Sequence, residues 1–560
     1  MVYALLEFKR EIIDEVKKIV KEDIDFQLEV PKEERGDYAL PCFPFASILK
    51  KSPVEIAEYI HANIELSMGR SETSGPYINF WIDDNYMVKN TIENCMKMKD
   101  GYGKLEEKNT KVIIEHTSAN PNAPLHVGNA RNPIIGDTTA RIYERGGYDV
   151  ETQYYVDDMG KQVTIMAWGV KNLDPDDVIV KKYDKKDHEM GRYYIEASRR
   201  MEDDDEVEKQ IADLINKIEM GEEDASKEVS DCSKTVMEGI EQSLARLNIY
   251  HDEYKTESSL ILNGNVDEIL KELEETGNCG YEEGAQYIEV DDKRVYLRRS
   301  DGTSLYPGRD IAYHAWKAKR CDVQIDILGE DHKLHAKSIA TALSLLNIEP
   351  IPQFIFYSFV TFEGEGMSTR SGKAVTLDEL MNIAQQRAKE EIENRREDLS
   401  KEESDQIAET VGIGAVRFNI IKVQPEKHID FRWEEALNFQ GDSAPFIQYT
   451  YARASSILEK AGWEENKDVD NIKLREKGEI KLIKKIAGLP SLIQKSIGSN
   501  SPHLIAKYAL ELAKEFNQFY RDYQVLDSEK EDERLMLVAC YRHCMKAVLD
   551  LLGIDSPKQM

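Results

Sequence analysis

Between Lys111 and Asp149 the chain reads KVIIEHTSANPNAPLHVGNARNPIIGDTTARIYERGGYD, and this stretch constrains the fold more than any other. Val112, Ile113 and Ile114 form an unbroken apolar run, as in a strand buried on both faces of a parallel sheet. A loop of Ser, Asn and Pro follows, then a helical pattern with Ala130, Ile134, Thr138 and Ile142 on one face. A strand that hands its loop directly to a helix puts that loop at the carboxyl edge of the sheet, where the first helical turn has unpaired N–H groups. Phosphate is received at such an edge. His126 stands in the loop just before Gly128, whose missing Cβ lets a flat ring approach the backbone. Asn129 suits a helix cap, and Pro133 suits the first turn.

Four later segments complete a crevice. From Gly147 to Gln162 an alternating strand ends at a Gly turn, and Asp149, Gln153, Tyr154 and Asp157 can point toward the first loop, a solvated face being the equal alternative for any one of them. Val323 to Leu328 runs into Gly329, Glu330, Asp331 and His332 and then a helix through His335, repeating strand, turn and helix on the other side. His332 and His335 are candidates for a nucleoside or substrate contact. Tyr306 and Asp310 share a face if the turn between them is helical. An aromatic face and a carboxylate are what a planar guanidinium fork accepts. A helix-capping Asp beside a packing Tyr would give the same spacing. Finally, Thr361 to Lys373 has Gly364, Gly366 and Gly372 around Met367, Ser368 and Thr369, which predicts a mobile loop, with Arg370 and Lys373 charged for a triphosphate.

Bulk properties limit the function classes. The 560 residues suffice for three or four cores, and 41% hydrophobic content without a bilayer-length apolar run predicts a soluble chain with no membrane partner. The start, MVYALLEFKREIIDEVKK, is too charged for a secretory signal, so a cytoplasmic location is expected. Seven Cys lack paired spacing; Cys540 and Cys544 read as core thiols, and neither a structural zinc nor another resident metal is expected. A net charge of −31 repels nucleic acid on average, so RNA contacts must be local, as at Lys481, Lys484 and Lys485 or Arg395 and Arg396.

The run Ser118-Ala-Asn120-Pro-Asn-Ala-Pro124-Leu125-His126-Val127-Gly128-Asn129-Ala-Arg131-Asn132 resembles the first signature of class I aminoacyl-tRNA synthetases, HIGH, in its arginyl-tRNA synthetase form. Asn129 takes the place of the usual second His. Thr361 to Lys373 resembles the second signature, KMSKS, keeping Met367 and Ser368 but with Gly366 and Thr369 at its lysines. Tyr306-x-x-Arg309-Asp310-Ile-Ala-Tyr313 resembles the arginine-selecting segment.

The resemblance implies an α/β architecture: a Rossmann-type catalytic domain, a small N-terminal α/β domain and a C-terminal all-α anticodon-binding bundle. Its boundaries would be 1–105 for the module that touches the tRNA elbow and 106–376 for the catalytic domain with a helical insertion at about 163–250; a connecting segment would span 377–442 and the bundle 443–560. It implies a ligase joining arginine to tRNA(Arg) with ATP and Mg²⁺, most simply as a monomer, whose first step needs bound tRNA. ATP would be held by Pro124, Leu125, His126, Val127, Gly128, Asn129, Gly329 and His332. Arginine would be held by Ser118, Asn120, Asp149, Tyr154, Tyr306, Asp310 and His332. His126, Gly128, Asn129, Met367, Ser368, Arg370 and Lys373 would carry the chemistry, and Tyr451 and Arg453 would face the tRNA. Some members without the second lysine carry one just before the first signature, where this chain has Ala123; Arg370, Lys373 and Lys161 remain as cations for pyrophosphate. Two other readings stay open: a class I ligase for another amino acid, and a tRNA-binding regulator that has lost catalysis.

Overall fold

Five parallel strands form the central sheet: β1 (Lys111–Glu115), β2 (Asp149–Val156), β3 (Glu253–Thr256), β4 (Val323–Gly329) and β5 (Gln353–Tyr357). Their spatial order is β5-β4-β1-β2-β3. The chain first builds outward from β1 to β3 and then returns to its other side, so the switch point lies between β1 and β4. Val112, Ile113 and Ile114 are fully buried in the middle strand, as their unbroken apolar run requires. The computed structural model describes all residues except 1, 22–23, 33–34, 179–184, 220–221, 363–374, 466–472 and 558.

Helix α1 (Arg131–Arg145) returns from the first loop across the sheet, and nearly all of it is buried. Between β2 and β3 lie four long helices: Lys161–Asn172, α2 (Lys186–Asp203), Asp205–Glu219 and Glu223–Arg246. Between β3 and β4, a three-stranded antiparallel sheet (Cys279–Glu282, Ala285–Val290, Lys293–Arg298) and helix α3 (Tyr306–Ala318) share a second core around Leu270, Leu297 and Ile311. Helix α4 (Leu377–Glu393) follows the second signature, its first turn closed by a reciprocal cap between Thr376 and Glu379.

The N-terminal unit packs the helix Ala4–Val20 and the helix Pro53–Asn63 on a three-stranded antiparallel sheet; Leu5, Phe8, Ile12, Val16 and Val20 are buried. The C-terminal unit is a bundle of Ala444–Lys460, Lys477–Ala487, Leu489–Gly498, His503–Asp522 and α5 (Glu531–Leu551). Cys540 and Cys544 are free thiols in its core. Among the described residues no helix is long and apolar enough to cross a membrane.

One buried arginine fastens the units together. Arg417, fully buried, ion-pairs with Asp137 of α1 and donates to the carbonyls of Leu247 and Leu552, the latter at 2.8 Å. Gly553 makes the approach possible, because a Cβ there would lie 2.2 Å from the Arg417 guanidinium. Arg141 adds bonds from α1 to the carbonyls of Asn248 (2.6 Å) and Asp550 (3.3 Å).

Candidate active site

The first loop is braced by the segment that leaves the second signature. The Val127 N–H donates to the Val375 carbonyl (3.1 Å), the Leu377 N–H donates to the Leu125 carbonyl (2.7 Å), and His126 bridges Thr376. Asn129 Oδ1 accepts from the His126 N–H at 3.1 Å, so the residue that replaces the second signature His closes the turn. A Cβ on Gly128 would lie 2.8 Å from His126 Cε1, so any other residue there would displace the His126 ring. His126 Nδ1 is buried without a hydrogen-bond partner among the described residues, and burial lowers the pKa of the ring. Its imidazole is neutral at pH 7 and has a donor to offer.

Two signature residues lock the crevice walls. Asn132 accepts from the Thr117 N–H (2.6 Å) and donates to the Ile327 carbonyl (2.8 Å), joining the loop after β1 to β4 across the switch point. Arg131 donates to the carbonyls of Ser358 and Gln424, both at 2.7 Å. In the loop itself Thr117 and Ser118 take left-handed backbone conformations (φ +71° and +37°). Ser118 Oγ donates to Glu115 (3.0 Å) and accepts from the Tyr155 N–H (3.1 Å). Asn120 donates to Gln162 at 3.0 Å, and the buried Tyr154 donates to the Ala119 carbonyl at 2.7 Å. Tyr154 is thus a prop beneath the loop.

On α3, Tyr306 opens the helix and Asp310 lies one turn on. The Tyr306 ring stacks on His335 with centroids 4.7 Å apart, yet 45% of the residue stays exposed. Asp310 is buried and pairs with His335 and with His314 Nδ1 (3.2 Å). From there a chain of charges runs through the core: His314 Nε2 meets Asp326 (3.2 Å), and Lys317 joins Asp326 to Glu115 (2.8 Å to Glu115). Burial alone would raise the Asp310 carboxyl; the charge of His314 and hydrogen bonds from His314 and His335 overcome it and hold the group well below the carboxylate range. Burial and Lys317 oppose charge on His314, but Asp326 and Asp310 raise it to about 10. The network therefore presents Asp310 ionised, with one aromatic face open beside it.

A second acidic pair adjoins it. Glu257, 1% exposed, accepts from Arg309 (2.8 Å) and from the Tyr155 hydroxyl (3.2 Å). Burial and neighbouring Asp157 push Glu257 up to about 7 against the pull of Arg309. Among the described residues two clusters have donor atoms spaced for a metal, Glu115 with His314 and Asp326, and Asp187 with His188 and Asp378. Each already contains a lysine ammonium: Lys317 in the first, and Lys185 in the second at 3.3 Å from Asp187 and 2.7 Å from Asp378.

His116 and His251 face each other behind the loop, with ring centroids 4.3 Å apart. Burial lowers both, His251 to about 4, from an ordinary value near 6.5. The unfolded chain binds a proton at His251 between about pH 6.5 and pH 4 that the folded chain refuses, so stability rises with pH through that window. The size is about 3 kcal/mol. Urea midpoints at pH 7.5 and pH 5 should show a loss that shrinks in His251→Gln; an equal loss in both proteins would reject the pair as its source.

Several expected residues lie elsewhere. Asp149 is the exposed first residue of β2, paired in register with Lys111, and so sits at the amino edge of the sheet, away from the first loop. Tyr451 is 8% exposed and belongs to the bundle core; Arg453 instead lies between the exposed rings of Tyr449 and Tyr520, 4.7 and 5.3 Å from their centroids. Lys481, Lys484 and Lys485 pair with Glu515, Asp37 and Glu511, and Arg395 and Arg396 pair with Glu391 and Asp398, so neither cluster is an open basic patch. His332 is near Asp331 (3.7 Å) at the end of β4, after Gly329. Lys161 is exposed at the start of its helix. Met367, Ser368, Arg370 and Lys373 lie outside the described residues. Sequence reasoning missed Glu115, Glu257, Lys317 and Asn132. Of these, Glu115 had a signal, an acid closing a buried apolar strand just before the loop, and Asn132 stood in the first signature with no role assigned to it.

A strand order of this kind, with a His-x-Gly loop at the switch point strapped to the segment that follows the second signature, places the catalytic domain among the class I aminoacyl-tRNA synthetases. Residues 91–433 match the family described as tRNA synthetases class I (R), catalytic domain; residues 6–82 match the arginyl tRNA synthetase N terminal domain, and 447–560 the DALR anticodon binding domain. The chain is 44% identical to the arginine–tRNA ligase of Methanocella arvoryzae over 92% of each chain, and 41% identical to that of Methanothermobacter thermautotrophicus over 95% of this chain and 94% of the relative. It superposes on Thermus thermophilus arginyl-tRNA synthetase with a TM-score of 0.87 at 26% identity, covering 99% of this chain and 100% of the other. The Plasmodium falciparum arginyl-tRNA synthetase shares the fold (TM-score 0.84, 20% identity, full coverage of both). The chain belongs to the arginyl-tRNA synthetase family and is an aminoacyl-tRNA ligase.

Proposed function

We propose that this enzyme activates L-arginine with ATP and transfers it to tRNA(Arg), releasing AMP and diphosphate. The observation that carries this reading is the buried Asp310, held ionised beside the half-open ring of Tyr306. A guanidinium stacks on the ring and forks onto the carboxylate. Lysine lacks the fork and would leave buried acceptors unpaired, which such sites reject on the order of 10⁴-fold. Ser118 and Asn120 would take the α-amino and carboxylate groups, exchanging their present bonds to Glu115 and Gln162.

In the first step a carboxylate oxygen of arginine attacks the α-phosphorus of ATP in line, and the bond to the β-phosphate bridge breaks. The nucleophile is already ionised, so the protein's work is orientation and charge neutralisation. The loop from Pro124 to Asn129 holds the nucleotide, with His126 donating from a neutral ring, and Gly329 and His332 bound the opposite wall. Arg370 and Lys373 of the second signature would neutralise the charge of the leaving group. Both lysine-filled carboxylate clusters are unsuited to a resident ion; Mg²⁺ carried in by ATP would neutralise phosphate charge. The Tyr449, Arg453 and Tyr520 stack offers the tRNA a base-stacking platform. The N-terminal unit takes the elbow, and a cytoplasmic monomer is the simplest working form.

Arginine- and tRNA-dependent pyrophosphate exchange tests the reading. Exchange with arginine but not lysine or cysteine is expected; exchange with cysteine alone, or none with any amino acid, would reject it in favour of another ligase or a regulator.

A further inference from the structure

The helical insertion closes on the nucleotide loop from two sides. A Cβ on Gly191 of α2 would be 2.9 Å from Pro124 Cδ and 3.2 Å from Ala123 Cβ, so the helix backbone touches the loop just ahead of His126. The rest of the loop is held by the strap, residues 375–377, through its bonds to Leu125 and Val127 and its bridge to His126. What fixes the strap is the next residue. Asp378 lies in the first turn of α4, with its side chain 12% exposed.

Asp378 accepts from Lys185 (2.7 Å) just before α2, from His188 (3.0 Å) in its first turn, and from Ser243 (3.0 Å) on the helix Glu223–Arg246. All of these donors come from the insertion between β2 and β3. Lys185 also donates to Ser243 at 2.6 Å and pairs with fully buried Asp187 at 3.3 Å, so two insertion helices and α4 share one junction. Gly239 lets those helices approach, because a Cβ there would lie 2.2 Å from Asp187 Cγ. One turn further along α4, Asn382 accepts from Arg246 at 2.9 Å, so the helix Glu223–Arg246 grips α4 on successive turns. Burial would raise the Asp378 carboxyl, but hydrogen bonds from His188 and Lys185 bring it down to about 2. Its charge also faces the positive end of the α4 dipole. Charge-assisted bonds of this kind fix a geometry as well as an energy. The Leu377 N–H, one residue before Asp378, holds the Leu125 carbonyl, so a shift of the first turn of α4 reaches the backbone at His126 directly.

We propose that Asp378 is a positioning residue for adenylation: by anchoring the strap to the insertion, it sets where the His126 ring meets the nucleotide. It acts through His126 and itself contacts no reacting atom. Placement of this kind matters because a shift of about 1 Å at the reacting groups can cost on the order of 10²-fold in rate. The inference rests on the nucleotide-binding role proposed for His126.

The test is a double-mutant cycle on single-turnover adenylate formation, with arginine and tRNA present, using wild type, Asp378→Ala, His126→Ala and the double variant. Asp378→Ala should slow the step roughly 10²-fold while the dependence on arginine concentration stays the same. In the His126→Ala background the same substitution should change the rate by less than about twofold, because the ring it positions is already gone. A residue that only supports the fold gives the opposite pattern, a loss that adds to that of His126→Ala, and this result would overturn the inference. A wild-type rate in Asp378→Ala would overturn it as well. If Asp378→Ala does not fold, Asp378→Asn keeps the size and one acceptor, and the same cycle decides by the same criterion. A wild type that exchanges pyrophosphate with no amino acid refutes the proposed function and this inference with it; in every other outcome the parent rate is intact, which keeps the two failures apart.

Discussion

Asp310→Asn raises the KM for arginine by roughly 10²- to 10³-fold while leaving that for ATP near its original value, as expected when one partner of a buried charge pair is removed. The carboxylate is fixed between His335 and His314, and its charge is maintained by a network reaching Asp326, Lys317 and Glu115. Asparagine keeps the size but loses the charge, so the fork meets one acceptor and one donor. Steady-state charging with each substrate varied in turn checks this. Equal changes in both KM values would place the arginine pocket elsewhere.

His126→Ala gives the second large effect, a fall in adenylate formation on the order of 10²- to 10³-fold with arginine KM unchanged. The backbone around His126 is held by Val375, Thr376 and Asn129 whatever the side chain, so the variant removes the ring without dismantling the loop. Single-turnover formation of the adenylate isolates the step. An unchanged rate would take His126 out of the nucleotide site.

The sequence made local relations legible and long-range ones opaque. The apolar run at Val112 to Ile114 and the turn at Gly128 could be placed because their meaning lies within a few residues. Tyr306 and Asp310 could be paired because a helix fixes what lies one turn away. Asp149 was misplaced through a question of direction: eight residues of strand at about 3.3 Å each separate its two ends, and only the carboxyl end reaches the crevice. Tyr451, which the resemblance put toward the tRNA, packs in the bundle core, because a matching segment does not say which face the bundle covers; exposed Tyr449 is two residues away. Glu257 and Lys317 were invisible for a different reason. Their partners, Arg309 for the one and Glu115 for the other, come from distant elements, and nothing near them in sequence records the pairing.

The knot at Arg417 bears on how independent the units are. Asp137, Leu247, Arg417 and Leu552 meet there from four remote stretches, so a boundary drawn near residue 443 divides the sequence but not the folding unit. A fragment that stopped short of Leu552 would strand a guanidinium in the interior and unseat the same helix that opens at the nucleotide. Swapping the anticodon-reading end between relatives would therefore succeed only when the graft also delivers its terminal carbonyls to that arginine.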